Sequence, residues 1–306
     1  GGRRYARPVT TYEHDDYCLN SQTPKLLNSQ TPKLPNSQIK IIKKLHDMEY
    51  RSLTIEEIGI LESRGCKAED WSAINVAYEF SPDNIRNVSF YGEVNLGVFD
   101  KHLEVSQGFR KHTGIKNATL RNVTIGDNCL IENIGNFIHN YTIGEECYIS
   151  NVNTIETTEG ATFGQGHMIS VLNEMGDGNV MLFDGLTSQV AALMVNHHKD
   201  KELIAALKRL IRKEIAKTVP ERGTIGFGVK IVNTSEITNT HISDDCEIIG
   251  ACRLSDCSIK SIPEASVYIG SGVICENSII FDGTSILNSV KLENCFVGEA
   301  CQITKI

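Results

Sequence analysis

Residues 123–134 read VTIGDNCLIENI and residues 141–152 read YTIGEECYISNV. Ile125, Gly126, Cys129, Ile131 and Asn133 thus return in the same order as Ile143, Gly144, Cys147, Ile149 and Asn151, at one constant offset. A fixed period constrains a chain more than any single residue, because each repeat must bury its apolar side against its neighbours. The unit is a hexad: a large aliphatic, then Gly or Asp, then a small residue four positions on. Strand alternation turns the aliphatic and the small residue inward, and a bend follows. Three hexads make one triangular coil, and one coil is the offset between the two phrases. Stacking such coils about 4.8 Å apart lays Ile over Ile and Cys over Cys, with parallel backbone pairing between coils. Asn133 and Asn151 fall at corners, where a left-handed backbone suits Asn or Gly. The stacked thiols of Cys129 and Cys147 are expected inside and unpaired.

Further copies of the unit occur as Phe163-Gly-Gln-Gly-His167-Met-Ile169, Ile225-Gly-Phe-Gly-Val229-Lys-Ile231, Ile242-Ser-Asp-Asp-Cys246-Glu-Ile248 and Ile269-Gly-Ser-Gly-Val273. Phe281 to Leu287 and Val297 to Ile303 continue them. These define a first block over 87–185 and a second over 221–306. Between them, residues 186–220 lose the hexad period. Leu203, Leu207, Leu210, Ile211 and Ile215 form one helical stripe with Lys and Arg opposite, Asp200 is a plausible N-cap and Pro220 a stop. The expectation is an inserted helical hairpin, about 187–197 and 201–217, packing its stripe on the stack.

Residues 48–86 read as a helical N-terminal cap. Thr54-Ile-Glu-Glu57 is a capping box leading into Ile55, Ile58 and Leu61 and stopping at Gly65, with a second short helix expected from Glu69 to Tyr78 around Trp71. Residues 1–47 differ in kind: NSQTPKLL at 20–27 repeats as NSQTPKLP at 28–35. Such a polar, proline-bearing tract cannot bury enough apolar area to offset its ordering entropy. It is expected to be a disordered tail or sequence upstream of a natural start at Met48. The final hexad stops at CQITKI without a cap, so the second block is expected to be truncated.

Composition narrows the function. A formal net charge of −8 without an Arg/Lys stripe argues against nucleic acid. No apolar run reaches the roughly 18 residues of a membrane span, and GGRRYARP lacks a secretory h-region, so cytoplasm is the expected compartment. Ten cysteines without a C-x-x-C pair fit buried thiols in a reducing compartment. There is no phosphate loop, nucleophile elbow or H-E-x-x-H motif, and no metal is expected. The Gly-x-Gly pairs at 164–166 and 226–228 belong to the repeat.

The phrase I-G-x-x-C-x-I-E-N-I resembles the hexapeptide-repeat signature of left-handed parallel β-helix proteins, many of them acyltransferases. Over 48–306, LTIEEIGILESRGCKAEDWSAI, KHTGIKNATLRNVTIGDNCLIENI, VLNEMG and FVGEACQI resemble a narrower bacterial group of hexapeptide transferase-like proteins with a domain of unknown function. The resemblance implies a mostly β, left-handed parallel β-helix, trimers, an acyl-CoA donor and a histidine general base. The function expected is acyl transfer to a small or nucleotide-linked sugar-type acceptor. The competing reading is a non-catalytic β-helix scaffold or ligand-holding protein. The candidate bases are His112, near the start of the regular coils, and His139, at a turn with Asn140. Asn117, Asn173 and Glu174 are candidates for binding substrate. Each also has a plainer reading as a surface, turn or corner residue.

Overall fold

Isoleucine, valine and leucine recur with an inward phase, and the backbone pairs them into three parallel ladders. The computed structural model describes residues 49–171 and 178–305. The first ladder runs Val76, Leu96, Ile125, Ile143, Ile225, Ile242, Ile259, Ile280, Val297. The second contains Ile85, Ile115, Ile131, Ile149, Ile231, Ile248, Ile269, Ile286 and Ile303. The third contains Phe90, Leu120, Ile138, Ile155, Ile237, Leu254, Cys275 and Leu292. From Leu96 onward the chain visits first, second and third ladder in fixed order. The fold is therefore mostly β, built on parallel pairing, with one continuous core shared by all three ladders.

The phase explains the core. Cys129 and Cys147 are fully buried and unpaired, and each thiol donates to the carbonyl one coil on, Gly144 O and Gly226 O, at 2.9 Å. Burial pushes both the Cys129 and Cys246 thiols well up from their ordinary value, so they stay protonated. At one corner, Asn87, Asn117, Asn133, Asn151 and Asn233 all have φ between 52° and 57° and pass side-chain amide hydrogen bonds from one to the next. Asn is favoured there twice: it tolerates the left-handed backbone, and its amide both donates and accepts.

The period shortens along the chain. Ile125 to Ile143 is three full hexads, whereas Ile225 to Ile242 and Ile242 to Ile259 each fall a single position short, so one bend in the later coils is tighter than the repeat suggests.

Helix α1, Ile55–Ser63, carries the expected capping box, with Thr54 Oγ1 accepting from Glu57 N and Glu57 Oε2 accepting from Thr54 N. Only Leu61 of its apolar residues is buried, and Ile55 is 85% exposed. The second helix expected over 69–78 is corrected to a single 3-10 turn, Trp71–Ala73, followed by strand Ile74–Ala77. Asp70 caps the turn, and then alternation wins: Ile74 and Val76 are buried and pair with Val94 and Leu96. Parallel pairing thus begins within the segment read as a helical cap. Strand Tyr50–Ser52 runs antiparallel along Ile74–Ala77 and covers that edge.

Two excursions leave the ladders. Strands His102–Ser106 and Phe109–His112 form an antiparallel hairpin between Leu96 and Ile115. The longer one starts after Glu156 and returns at Gly223, so 163–169 is not a further copy of the repeat: Met168–Ser170 pairs antiparallel with Asn179–Met181. Helices α2, Ser188–Asn196, and α3, Lys201–Thr218, follow, the latter capped by Asp200. Ile204, Leu207, Ile211 and Ile215 pack with Val180, Leu182 and Phe183 onto Ile279, Phe281 and Phe296, which flank the first ladder on its outward side. Leu210, expected in the stripe, is 63% exposed. No described helix is long and apolar enough to cross a membrane.

Tyr141 breaks the small-residue rule inside. Its ring fills the space opposite Gly223, and its hydroxyl donates to Thr240 O at 2.7 Å in the coil beyond. A Cβ on Gly223 would lie 2.3 Å from the Tyr141 ring. Gly223→Ala is accordingly expected to destabilise the protein by about 1–3 kcal/mol, the usual cost of overpacking. Gly223→Ala combined with Tyr141→Phe should not recover that loss, because the clash is with the ring and not the hydroxyl; chemical denaturation of the three proteins checks this.

A buried histidine gives the fold an acid dependence. His241 is 6% exposed, and among the described residues neither ring nitrogen has a hydrogen-bond partner. Burial first, and the Lys260 cation second, push its pKa down to about 3. Above pH 6.5 both folded and unfolded forms are neutral and the residue contributes nothing to pH dependence. Below it the unfolded chain takes a proton that the folded chain refuses, so stability falls by up to about 1.4 kcal/mol per pH unit until pH reaches about 3. Denaturation curves of His241→Phe and wild type should therefore diverge progressively as pH falls below 6.5, the variant losing less stability; parallel pH profiles would contradict the assignment.

Candidate functional site

The residue that follows each inward residue of the third ladder points outward, and the register places those residues in a row. Tyr91 pairs with Arg121, Arg121 with His139, and His139 with Glu156, at about 4.8 Å per step. Thr119 and Phe137 precede Leu120 and Ile138 and so emerge on the same side. Glu69, whose amide donates to Phe90 O, closes the end of the row. Glu69, Tyr91, Thr119, Arg121, Phe137 and His139 line a cleft of about 450 Å³.

The cleft combines an aromatic wall with a cation and a base. Tyr91 is 43% exposed, and the Phe137 ring lies 6.4 Å from the His139 ring at 77°. Among the described residues, the side chains of Arg121 and His139 have no hydrogen-bond or ion-pair partner. Partial burial lowers the His139 pKa from its ordinary 6.5, the Arg121 guanidinium lowers it further, and Glu156 opposes both. The imidazole is therefore neutral at about pH 7 and lines the cleft, as a general base requires. The guanidinium is left to a carboxylate or phosphate, which it matches in geometry.

The other candidates lie elsewhere. His112 ends the hairpin strand Phe109–His112, between first- and second-ladder residues, with its Nδ1 2.9 Å from Thr113 O and its ring edge-on to His102 at 4.7 Å. A carbonyl only accepts, so the hydrogen bond is an Nδ1–H donation to Thr113 O. Asn117 stands in the corner ladder, its amide donating to Asn133 and accepting from Asn87. Asn173 and Glu174 lie outside the described residues. Of the candidates among the described residues, only His139 lines the cleft.

Sequence reasoning passes over Arg121, Tyr91 and Phe137. Arg121 is within reach of the repeat, since it lies one full coil before His139 and therefore shares its phase. Tyr91 is hidden because the hairpin at 102–112 stretches the step from Tyr91 to Arg121 well beyond one regular coil.

Fold and cleft together define a mostly β protein of stacked parallel ladders with an outward aromatic, cationic site. The chain belongs to the family defined by the domain of unknown function DUF4954, whose profile matches residues 50–306. It is similar to an uncharacterized protein of Treponema pallidum (strain Nichols), 27% identical over 248 residues, which cover 78% of this chain and 34% of that protein. The chain thus spans about a third of the length of the curated relative it matches.

The electrostatic assignment of the cleft has a direct check. Histidine ring resonances followed against pH should give His139 a midpoint below 6.5, and Arg121→Gln should raise that midpoint only part of the way back, since burial is the larger cause. An unchanged midpoint in Arg121→Gln would remove the guanidinium from the account.

Proposed function

We propose that the three ladders form a left-handed parallel β-helix of the hexapeptide-repeat class, and that the protein is an acyltransferase acting on a small or nucleotide-linked sugar-type acceptor. The observation that carries this reading is a neutral His139 beside Arg121, whose side chain has no partner among the described residues, in one aromatic-walled cleft. His139 takes the proton from an acceptor hydroxyl or amine as that atom attacks the thioester carbonyl of an acyl-CoA. The carbon–sulfur bond then breaks, and the imidazolium returns its proton to the departing thiolate. Arg121 holds an anionic group of the acceptor, such as a phosphate, and Tyr91 and Phe137 offer faces on which a sugar or base ring can stack. The cleft is large enough for the acceptor and the thioester end of the donor, so the rest of the donor would extend along the outer surface. By the same class likeness the protein works as a homo-oligomer, a trimer, in the cytoplasm.

Thermal shift and transfer assays with acetyl-CoA, CoA and UDP-sugars test the reading. A ligand at about 100 times its dissociation constant stabilises by roughly 2.7 kcal/mol, which a melting curve resolves. Acetyl-CoA should stabilise wild type and His139→Asn alike, while His139→Asn loses transfer by about 10²- to 10⁴-fold, the usual contribution of a general base. His112→Asn should keep transfer. If no CoA species shifts the melting curve, the non-catalytic scaffold reading replaces this one.

A further inference from the structure

The outward residues flanking the first ladder change character along the chain in a way that packing does not require. Coil by coil, the triplets centred on inward isoleucine read Thr124-Ile125-Gly126, Thr142-Ile143-Gly144, Thr224-Ile225-Gly226, His241-Ile242-Ser243, Ser258-Ile259-Lys260 and Ile279-Ile280-Phe281. Each isoleucine is inside, so the residue on either side of it points outward. The register sets His241 beside Ser258, and the Ser243 amide donates to Ile259 O, which sets Ser243 beside Lys260. Four polar side chains thus form a two-by-two block. It is covered: His241 is 6%, Ser243 2%, Ser258 1% and Lys260 9% exposed.

The cover comes from the long excursion. The Phe163 ring stands edge-on to His241 at 6.1 Å, and Phe163 O accepts from Ser258 Oγ at 2.8 Å. Asp184 Oδ2 accepts from Lys260 Nζ at 2.6 Å. After those contacts, both ring nitrogens of His241, the Ser243 hydroxyl and Asp184 Oδ1 have no hydrogen-bond partner among the described residues. Buried polar groups in folded proteins are normally satisfied, and leaving one bare costs about 1–3 kcal/mol. Four bare atoms in one block are not needed to seat the excursion. One coil later the same outward positions are Ile279 and Phe281, and the same excursion packs on them through an apolar cluster.

We propose that this block, His241, Ser243, Ser258 and Lys260 with Asp184 opposite, is a second binding site, and that it takes a compact, uncharged, hydroxyl-rich ligand. The chemistry of the bare atoms selects that class. A neutral imidazole offers one N–H and one lone pair, Ser243 both donates and accepts, and Asp184 Oδ1 accepts only. Hydroxyl groups, which do both, are the partners that complete such a set. Charge disfavours the alternatives: the cation of the block is already paired with Asp184, so an anionic ligand would find no free cation, and a cationic one would compete with Lys260 for the same carboxylate. Because the block flanks the first ladder and His139 follows the third, the site is separate from the outer cleft.

Ring resonances of ¹⁵N-labelled histidine, titrated with glycerol, D-glucose and N-acetyl-D-glucosamine, test the proposal on the full chain. At least one of these probes should move the His241 resonances saturably, with Ser243→Ala weakening that probe by about ten-fold, the loss of one hydrogen bond to the ligand. His139→Asn should leave the affinity unchanged, so failure of acyl transfer does not bear on this result. If none of the three probes moves His241 in wild type, the block is a structural polar patch and the proposal falls. The same holds if acetate or inorganic phosphate moves it while the neutral probes do not.

Discussion

Everything in this protein depends on the parallel backbone register between successive coils. Once Ile125 is hydrogen-bonded opposite Ile143, and Ile143 opposite Ile225, each position in one coil is committed to the same position in the next. A slip of one residue would turn a whole ladder of isoleucines outward. The register fixes the core, since Ile must lie over Ile and a small thiol over a small thiol. It also fixes the outside, because the residues flanking each isoleucine are placed in rows whether or not they are needed for stability. The candidate sites lie in those rows: Tyr91, Arg121 and His139 on one side, His241, Ser243, Ser258 and Lys260 on another.

Those two sets show opposite uses of burial. In the outer cleft, partial burial and a neighbouring guanidinium lower the His139 pKa while its ring stays accessible. Such a histidine is neutral at physiological pH and free to accept a proton. Under the excursion, full burial leaves His241 neutral with no hydrogen-bond partner for either nitrogen among the described residues, which is costly. At the same outward positions one coil on stand the apolar Ile279 and Phe281, so the polar block is a local departure of the kind expected where a site is proposed.

Much of the framework is legible because it is periodic. Ile125 and Ile143, the inward unpaired Cys129 and Cys147, the left-handed corners at Asn133 and Asn151, the capping box at Thr54 and the N-cap at Asp200 follow from spacing and side-chain chemistry. The failures share a cause. The segment at 163–169 imitates the repeat in composition but pairs antiparallel with Asn179–Met181, and residues 74–77 carry an alternation too short to outweigh a helix-like neighbourhood. Sites are harder still. His139 stands out as a histidine near a turn, but Arg121 beside it and the block around His241 arise from register across coils, between partners a whole coil apart in sequence that meet only after stacking.

If chemistry takes place in the row after the third ladder, crystals grown with acetyl-CoA and a UDP-sugar locate the reacting groups most directly. The expected complex has the sugar ring against Tyr91 or Phe137, an anionic group on Arg121, and the acceptor hydroxyl within about 3.2 Å of a His139 ring nitrogen, the reach of a general base. Acceptor and thioester bound together on another face, with the Arg121 and His139 cleft filled by solvent alone, would contradict it.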